Sequence, residues 1–131
     1  MSMLIKLFIV LLSGLFFMHD ATAKDFCLGT FHNLHFNSEG GDLSGMEIKI
    51  VGTNSGKQAA IQFSDGEPGS LVVTPVICKN AHIAFTIPKD HGRTAATFDG
   101  VVSKNRMAGE LVFEGGGRDK VVLLRRKSYW D

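Results

Sequence analysis

The residues best equipped for chemistry are two close histidines, a lysine set among glycines, two cysteines, and a serine between an apolar residue and a glycine. His32 and His35 could share a metal ion if their imidazoles converged. On a strand their three-residue spacing points them to opposite faces, and no third ligand lies near in sequence, so they read as polar surface histidines. Only a turn at this point would bring them together. His82 and His91 read as an outward strand residue and a turn residue. The run Gly52-Thr-Asn-Ser-Gly56-Lys57-Gln58 offers backbone donors and a cation to a phosphate. Its glycines stand one residue too close, Gln58 occupies the place of the Ser or Thr that would hold magnesium, and no helical pattern follows. A hairpin turn is expected there. Ser44 lacks a nucleophile elbow around it and reads as sheet. No metal or cofactor motif is present, so a catalytic set would have to assemble from separate parts of the chain.

The cysteines, Cys27 and Cys78, must be read with the N-terminus. Lys6 precedes most of an apolar run from Leu7 to Phe17, and Ala21-Thr22-Ala23 follows. That order of cation, short apolar core and small-x-small site is the secretory signature, with cleavage before Lys24. The run is too short to span a bilayer. Residues 1–23 are therefore expected to be a signal peptide and 24–131 a single domain, exported to a periplasmic or extracellular compartment. Thiols oxidise there, so Cys27 and Cys78 are expected to form one disulfide. Closing a loop of about 50 residues contributes roughly 4 kcal/mol in the chain-entropy model.

Lys and Arg number 14 against 13 for Asp and Glu, and the loss of Lys6 with Asp20 keeps the remainder near neutral. Near-neutrality argues against a nucleic-acid partner. The single cluster, Arg125-Arg126-Lys127, falls at the last expected strand and reads as a solvated edge.

Short alternating runs separated by Gly, Asn, Asp, Ser and Pro fill the chain after Lys24. Strands are expected near 25–33, 43–52, 58–63, 70–78, 81–87, 94–102, 107–114 and 120–127. Loops this short favour antiparallel neighbours in sequence order, and closure of such a meander removes its edges. The fold class is thus all-β, an eight-stranded antiparallel up-and-down barrel. Ile83, Phe85 and Ile87 share one face, and Phe98, Val102, Met107, Leu111 and Phe113 form a second inward set. Gly45, Gly100 and Gly109 each lie inside a strand, where glycine marks a bend, with a bulge expected at Gly45. Outward Glu47, Lys49, Asp99 and Glu110 are incompatible with a lipid-facing band, so an integral membrane barrel is not expected.

Cys27-Leu28-Gly29-Thr30-Phe31 resembles the Gly-x-Trp of the first strand in the calycin (lipocalin and avidin-like) superfamily, with Phe31 where Trp is usual. Arg125 or Arg126 resembles the basic residue that covers this aromatic in those barrels. The resemblance implies that Gly29, Phe31 and Arg125 close the barrel base and do no chemistry. The layout to Ser128-Tyr129-Trp130-Asp131 is also similar to small exported bacterial barrels of unknown function.

Three functions fit. A non-enzymatic binding module would engage a protein or cell-envelope partner through loops 37–42, 64–69, 88–93 and 115–119. A carrier would take a small apolar ligand against Phe31, Met46, Phe85, Phe98, Met107 and Phe113, although small barrels of this kind are commonly filled by their own side chains. A small hydrolase would show a His and a carboxylate sharing one cleft.

Overall fold

The computed structural model describes residues 25–89 and 93–131, so the expected signal peptide and His91 lie outside the described residues. Eight strands appear in chain order: β1 (Gly29–His32), β2 (His35–Asn37), β3 (Asp42–Thr53), β4 (Gly56–Lys79), β5 (His82–Ile87), β6 (Ala96–Val102), β7 (Arg106–Phe113) and β8 (Arg118–Arg125). They form one antiparallel sheet in the order β1-β8-β7-β6-β5-β4-β3-β2, and an additional β1–β3 pairing closes it. The result is the expected up-and-down barrel.

The staves are divided differently from the expectation at two places. The strand expected at 25–33 is confined to β1, and β2, which lies beyond those bounds and was not expected, follows after Asn33 and Leu34. Asn33 Oδ1 accepts from the Met46 N–H at 2.8 Å, so a side chain stands in for a ladder carbonyl. Conversely, the strands expected at 58–63 and 70–78 merge into β4, 24 residues long. Straight, such a strand would span roughly 80 Å. It is folded back: Gln62 Nε2 donates to Gly69 O at 3.0 Å, and a Cβ on Gly69 would sit 2.7 Å from the Phe63 carbonyl oxygen. Positions so separated in a straight strand lie about 20 Å apart. The chain therefore reverses around Gly66, whose φ is +87°.

The bulge expected at Gly45 is absent. Residues 43–53 pair one for one with 66–56, Gly45 opposite Ser64. Inward parity nonetheless shifts, with Leu43 and then Met46, Ile48 and Ile50 buried. The positive φ of Gly45, +111°, supplies that change without an extra residue.

Phe31, Ile48, Ile61, Ile83, Met107 and Leu123 have no exposed surface, and the packed core joins all the staves. Gly100 and Gly109 face one another across β6 and β7. Their role is space: a Cβ on Gly109 would stand 2.7 Å, and one on Gly100 2.9 Å, from the Phe98 ring. Phe98 thus lies over a paired glycine gap and stacks on Phe85 at 4.9 Å. A large inward aromatic fits only because two small residues lie under it.

Up-and-down order assigns each turn to an end. The 38–41, 66–69 and 114–117 connections lie at one end with the end of β5 and the start of β6, and the 54–55, 80–81 and 103–105 turns lie at the other with the start of β1 and the end of β8. Three of the loops named from the sequence therefore share one end, together with the described ends of the fourth, Pro88, Lys89 and Arg93.

Candidate functional site

The two ends differ in build. At the base, the Arg125 guanidinium carbon lies 4.4 Å from the Phe31 ring centroid. Its Nε donates to Lys104 O at 2.8 Å and one terminal nitrogen to Ser103 O at 3.1 Å. The remaining donors reach the carbonyls of Leu28 and Phe26. Burial lowers the guanidinium below its ordinary pKa. A Cβ on Gly29 would fall 2.7 Å from an Arg125 nitrogen, and Gly29 has φ +127°, so the position suits glycine on both counts. One side chain thus ties the N-terminal segment to the β6–β7 turn over a buried ring.

Cys27 and Cys78 lie beside this seal at disulfide distance, their Cα atoms 6.5 Å apart. Asp25 accepts from the Cys27 N–H at 3.0 Å and pairs with Lys57 at 2.9 Å. The hydrogen bond from Lys57 holds the Asp25 carboxyl below its usual range. Asp25, Cys27 and Cys78 are the one group among the described residues with metal-ligand spacing. Sulfurs joined to each other are not thiolate ligands, so the cluster does not read as a metal site.

The opposite end is open. A cleft of about 580 Å³ lies between β3, β4, β7 and β8, with Met46, Phe63, Leu111 and Phe113 as its apolar floor and Asp65, Arg93 and Asp119 among its polar lining. The Arg93 guanidinium carbon stacks 3.8 Å over the Phe63 ring. Of the six aromatic and methionine residues named from the sequence as ligand lining, Met46 and Phe113 line this cleft. Phe31, Phe85, Phe98 and Met107 are packed into the core, none more than 5% exposed. Phe63 and Leu111 were not named as lining, while Asp65, Arg93 and Asp119 fall within the loops 64–69, 88–93 and 115–119 named from the sequence as a partner-binding surface. Leu111 was visible as inward from the alternation of its strand.

The histidines separate. His35 is exposed on β2. His32 is buried, with Nε2 donating to Lys127 O at 3.1 Å and Nδ1 without a partner among the described residues. The Lys127 carbonyl fixes the tautomer, since a carbonyl only accepts. His82 meets Asp99 at 2.7 Å on the outer face. Ser44 has His35 and Asp65 as its register neighbours. A triad needs the imidazole between hydroxyl and carboxylate. Here the serine is central. The glycine-rich Gly52–Gly56 run makes the β3–β4 hairpin, with Thr53 Oγ1 donating to Gly56 O at 2.7 Å.

The C-terminal tail neither seals the base nor hangs free. Glu47, nearly buried, accepts from Ser128 Oγ and the Tyr129 N–H, both at 2.7 Å. Trp130 Nε1 donates to Gln62 Oε1 at 2.9 Å. The tail straps the outer face of β3 and β4, so outward Glu47 is covered by chain rather than by water.

Compared with known proteins, the chain matches no family model, no curated protein and no solved structure.

Proposed function

We propose that this protein is an exported, non-enzymatic binding barrel that engages a protein partner of the cell envelope with its open end. The observation that carries the reading is the asymmetry of the barrel. One end is capped by Arg125, the Cys27–Cys78 pair and tight turns, with a smaller recess of about 440 Å³ beside the cap, while the other gathers the 38–41, 66–69 and 114–117 turns and Arg93 around a cleft of about 580 Å³. Loops on a rigid frame are where small scaffolds place recognition. A cationic group over an aromatic ring, as Arg93 lies over Phe63, is a common feature of interface hot spots. The calycin-like arrangement of Gly29, Phe31 and Arg125 belongs to this reading as the structural half of the design.

A photo-reactive residue placed at Ser38, Glu67 or Gly116 tests it in the exporting cell, with Asn54 and Asn105 as base-end controls. Discrete protein adducts from the open-end positions alone support the proposal. Adducts equally from both ends, or from neither, contradict it.

The cleft favours a second reading, carriage of a small ligand, because its volume falls within the roughly 300–1,000 Å³ of small-molecule sites. That ligand would rest on Phe63, Leu111 and Phe113 rather than deep in the barrel. Native mass spectrometry of the exported protein before and after unfolding separates the readings. A bound small molecule lost on unfolding favours carriage, and its absence favours the protein partner.

A further inference from the structure

We propose that the sealed end of the barrel is a cationic docking face for the anionic headgroup surface of a membrane leaflet. This inference does not rest on the open-end reading. The near-zero net charge of the chain hides a segregation along the barrel axis. Lys57 opens β4, Lys79 closes it, Lys104 and Arg106 stand at the β6–β7 turn, and Arg126 and Lys127 follow β8. Up-and-down order brings the first four to the base, and Arg126 and Lys127 leave it on the tail that then runs along the flank to Glu47. Asp25 is the one carboxylate on the described turns and N-terminal segment of that end, and it is taken up by Lys57 at 2.9 Å; Asp131 lies at the far end of the tail. Lys79, Lys104, Arg106, Arg126 and Lys127 are exposed and make no ion pair among the described residues.

The open end carries the opposite sign. Exposed Glu39, Asp42, Asp65, Glu67, Glu114 and Asp119 surround it, against Lys89, Arg93, Arg118 and Lys120. Arg118 is already paired with Glu110 at 2.8 Å. The barrel is thus an electrostatic dipole with its cationic pole at the closed end. Facing a negative surface, such a dipole turns its base toward the surface and its rim away.

The base also has the form a surface partner requires. Arg125 and the turn carbonyls cap its centre, with a recess of about 440 Å³ at Asp25, Lys57 and Ala81 beside the cap, so a large partner meets it chiefly as a face. Leu28, 39% exposed beside the cations, adds an apolar contact at headgroup depth. The exposed aromatics Tyr129 and Trp130 lie on the flank against Glu47 and Gln62, so among the described residues the base carries no exposed aromatic of the kind on which single-stranded nucleic acid stacks. Clustered Lys and Arg of this number are sufficient for association with anionic lipid, each contributing about a fivefold gain in partition near the surface.

Co-sedimentation of the oxidised protein with vesicles tests the proposal, using phosphatidylcholine alone and phosphatidylcholine mixed with phosphatidylglycerol. Binding is expected only to the mixed vesicles, and weaker as salt shortens the screening length. The double variant Lys104→Glu with Arg126→Glu should bind at least about tenfold more weakly. Lys89→Glu with Lys120→Glu changes net charge equally at the open end and should bind as the parent does. Circular dichroism of both variants verifies that each is folded, and Lys79→Glu with Lys127→Glu serves as a second base-end pair. Equal losses from the two ends, equal binding to neutral vesicles, or binding to soluble inorganic polyphosphate with none to vesicles would each overturn the proposal.

Discussion

Arg125 and Phe31 are direct partners in the β1–β8 register, and the arginine folds back so that its guanidinium covers the phenylalanine ring at 4.4 Å. The same group donates to carbonyls of the N-terminal segment and of the β6–β7 turn. Replacing it with methionine keeps the apolar stem and leaves those carbonyls without their donor. Arg125→Met is expected to cost about 2 kcal/mol or more in urea unfolding, since hydrogen bonds from charged donors contribute about 1.5–3 kcal/mol each. Arg125→Lys should recover only part of this, because an ammonium cannot reproduce the planar fork. Unchanged midpoints in both variants would remove the seal from the fold's energetics.

The β4–β5 turn contains a position open to improvement. Asn80 and Ala81 both have positive φ, 51° and 65°. Two such residues make a type I′ turn, for which Asn-Gly is the favoured pair. A left-handed conformation costs a residue with a Cβ about 1–2 kcal/mol. Ala81→Gly should therefore raise the melting temperature by a few degrees, measured calorimetrically, with no change in the spectrum of the folded state.

Glycine is required for space at the centre of β7. A methyl at Gly109 would press first on the Asp99 carbonyl oxygen and would also meet Gly100 Cα and the Phe98 ring, each at 2.7 Å. Gly109→Ala is expected to destabilise the barrel by about 1–3 kcal/mol, the usual cost of overpacking. A double variant with Phe98→Leu should recover part of that loss in the same denaturation experiment.

Asp25 gives the protein an acid-sensitive contact. Its carboxyl is held below the usual range by Lys57 in the folded chain and is unperturbed when unfolded, so the folded state binds fewer protons. The resulting stabilisation is fully present above the unfolded value of about 4 and fades as pH falls through the lower folded value. Melting temperatures of the parent and Asp25→Asn should therefore differ near neutral pH and converge in strong acid. A difference that does not vary with pH would contradict this contact.

Much of the fold was legible because barrel staves alternate. Ile83, Phe85 and Ile87 point inward as period two requires, and short turns imposed the antiparallel order. The division of β1 from β2 was hidden, since it depends on Asn33 replacing a ladder carbonyl with its side chain. The joining of 58–63 to 70–78 was hidden for a related reason: Gly66 and Pro68 look like a loop, yet the turn is tight enough to stay within the ladder. At the open end, Met46 and Phe113 could be named from alternation. Arg93 lies outside the eight strands, its direction set by the Phe63 ring, and Asp65 lies in the part of β4 that was expected to be loop, just before the chain reverses at Gly66. The charge segregation was invisible for a different reason. Lys57, Lys79, Lys104 and Arg126 are spread across the chain, and only the up-and-down path gathers them.

The most direct test of the barrel's central property, one closed end and one end available for binding, is a methyl and aromatic NMR titration of the oxidised protein with anilinonaphthalene sulfonate. This amphipathic probe should perturb Met46, Phe63, Leu111 and Phe113 in a saturable manner and leave Phe31, Ile50 and Leu123 unmoved. Saturable shifts at those base residues, or shifts spread evenly through the core, would contradict an open end backed by a sealed base.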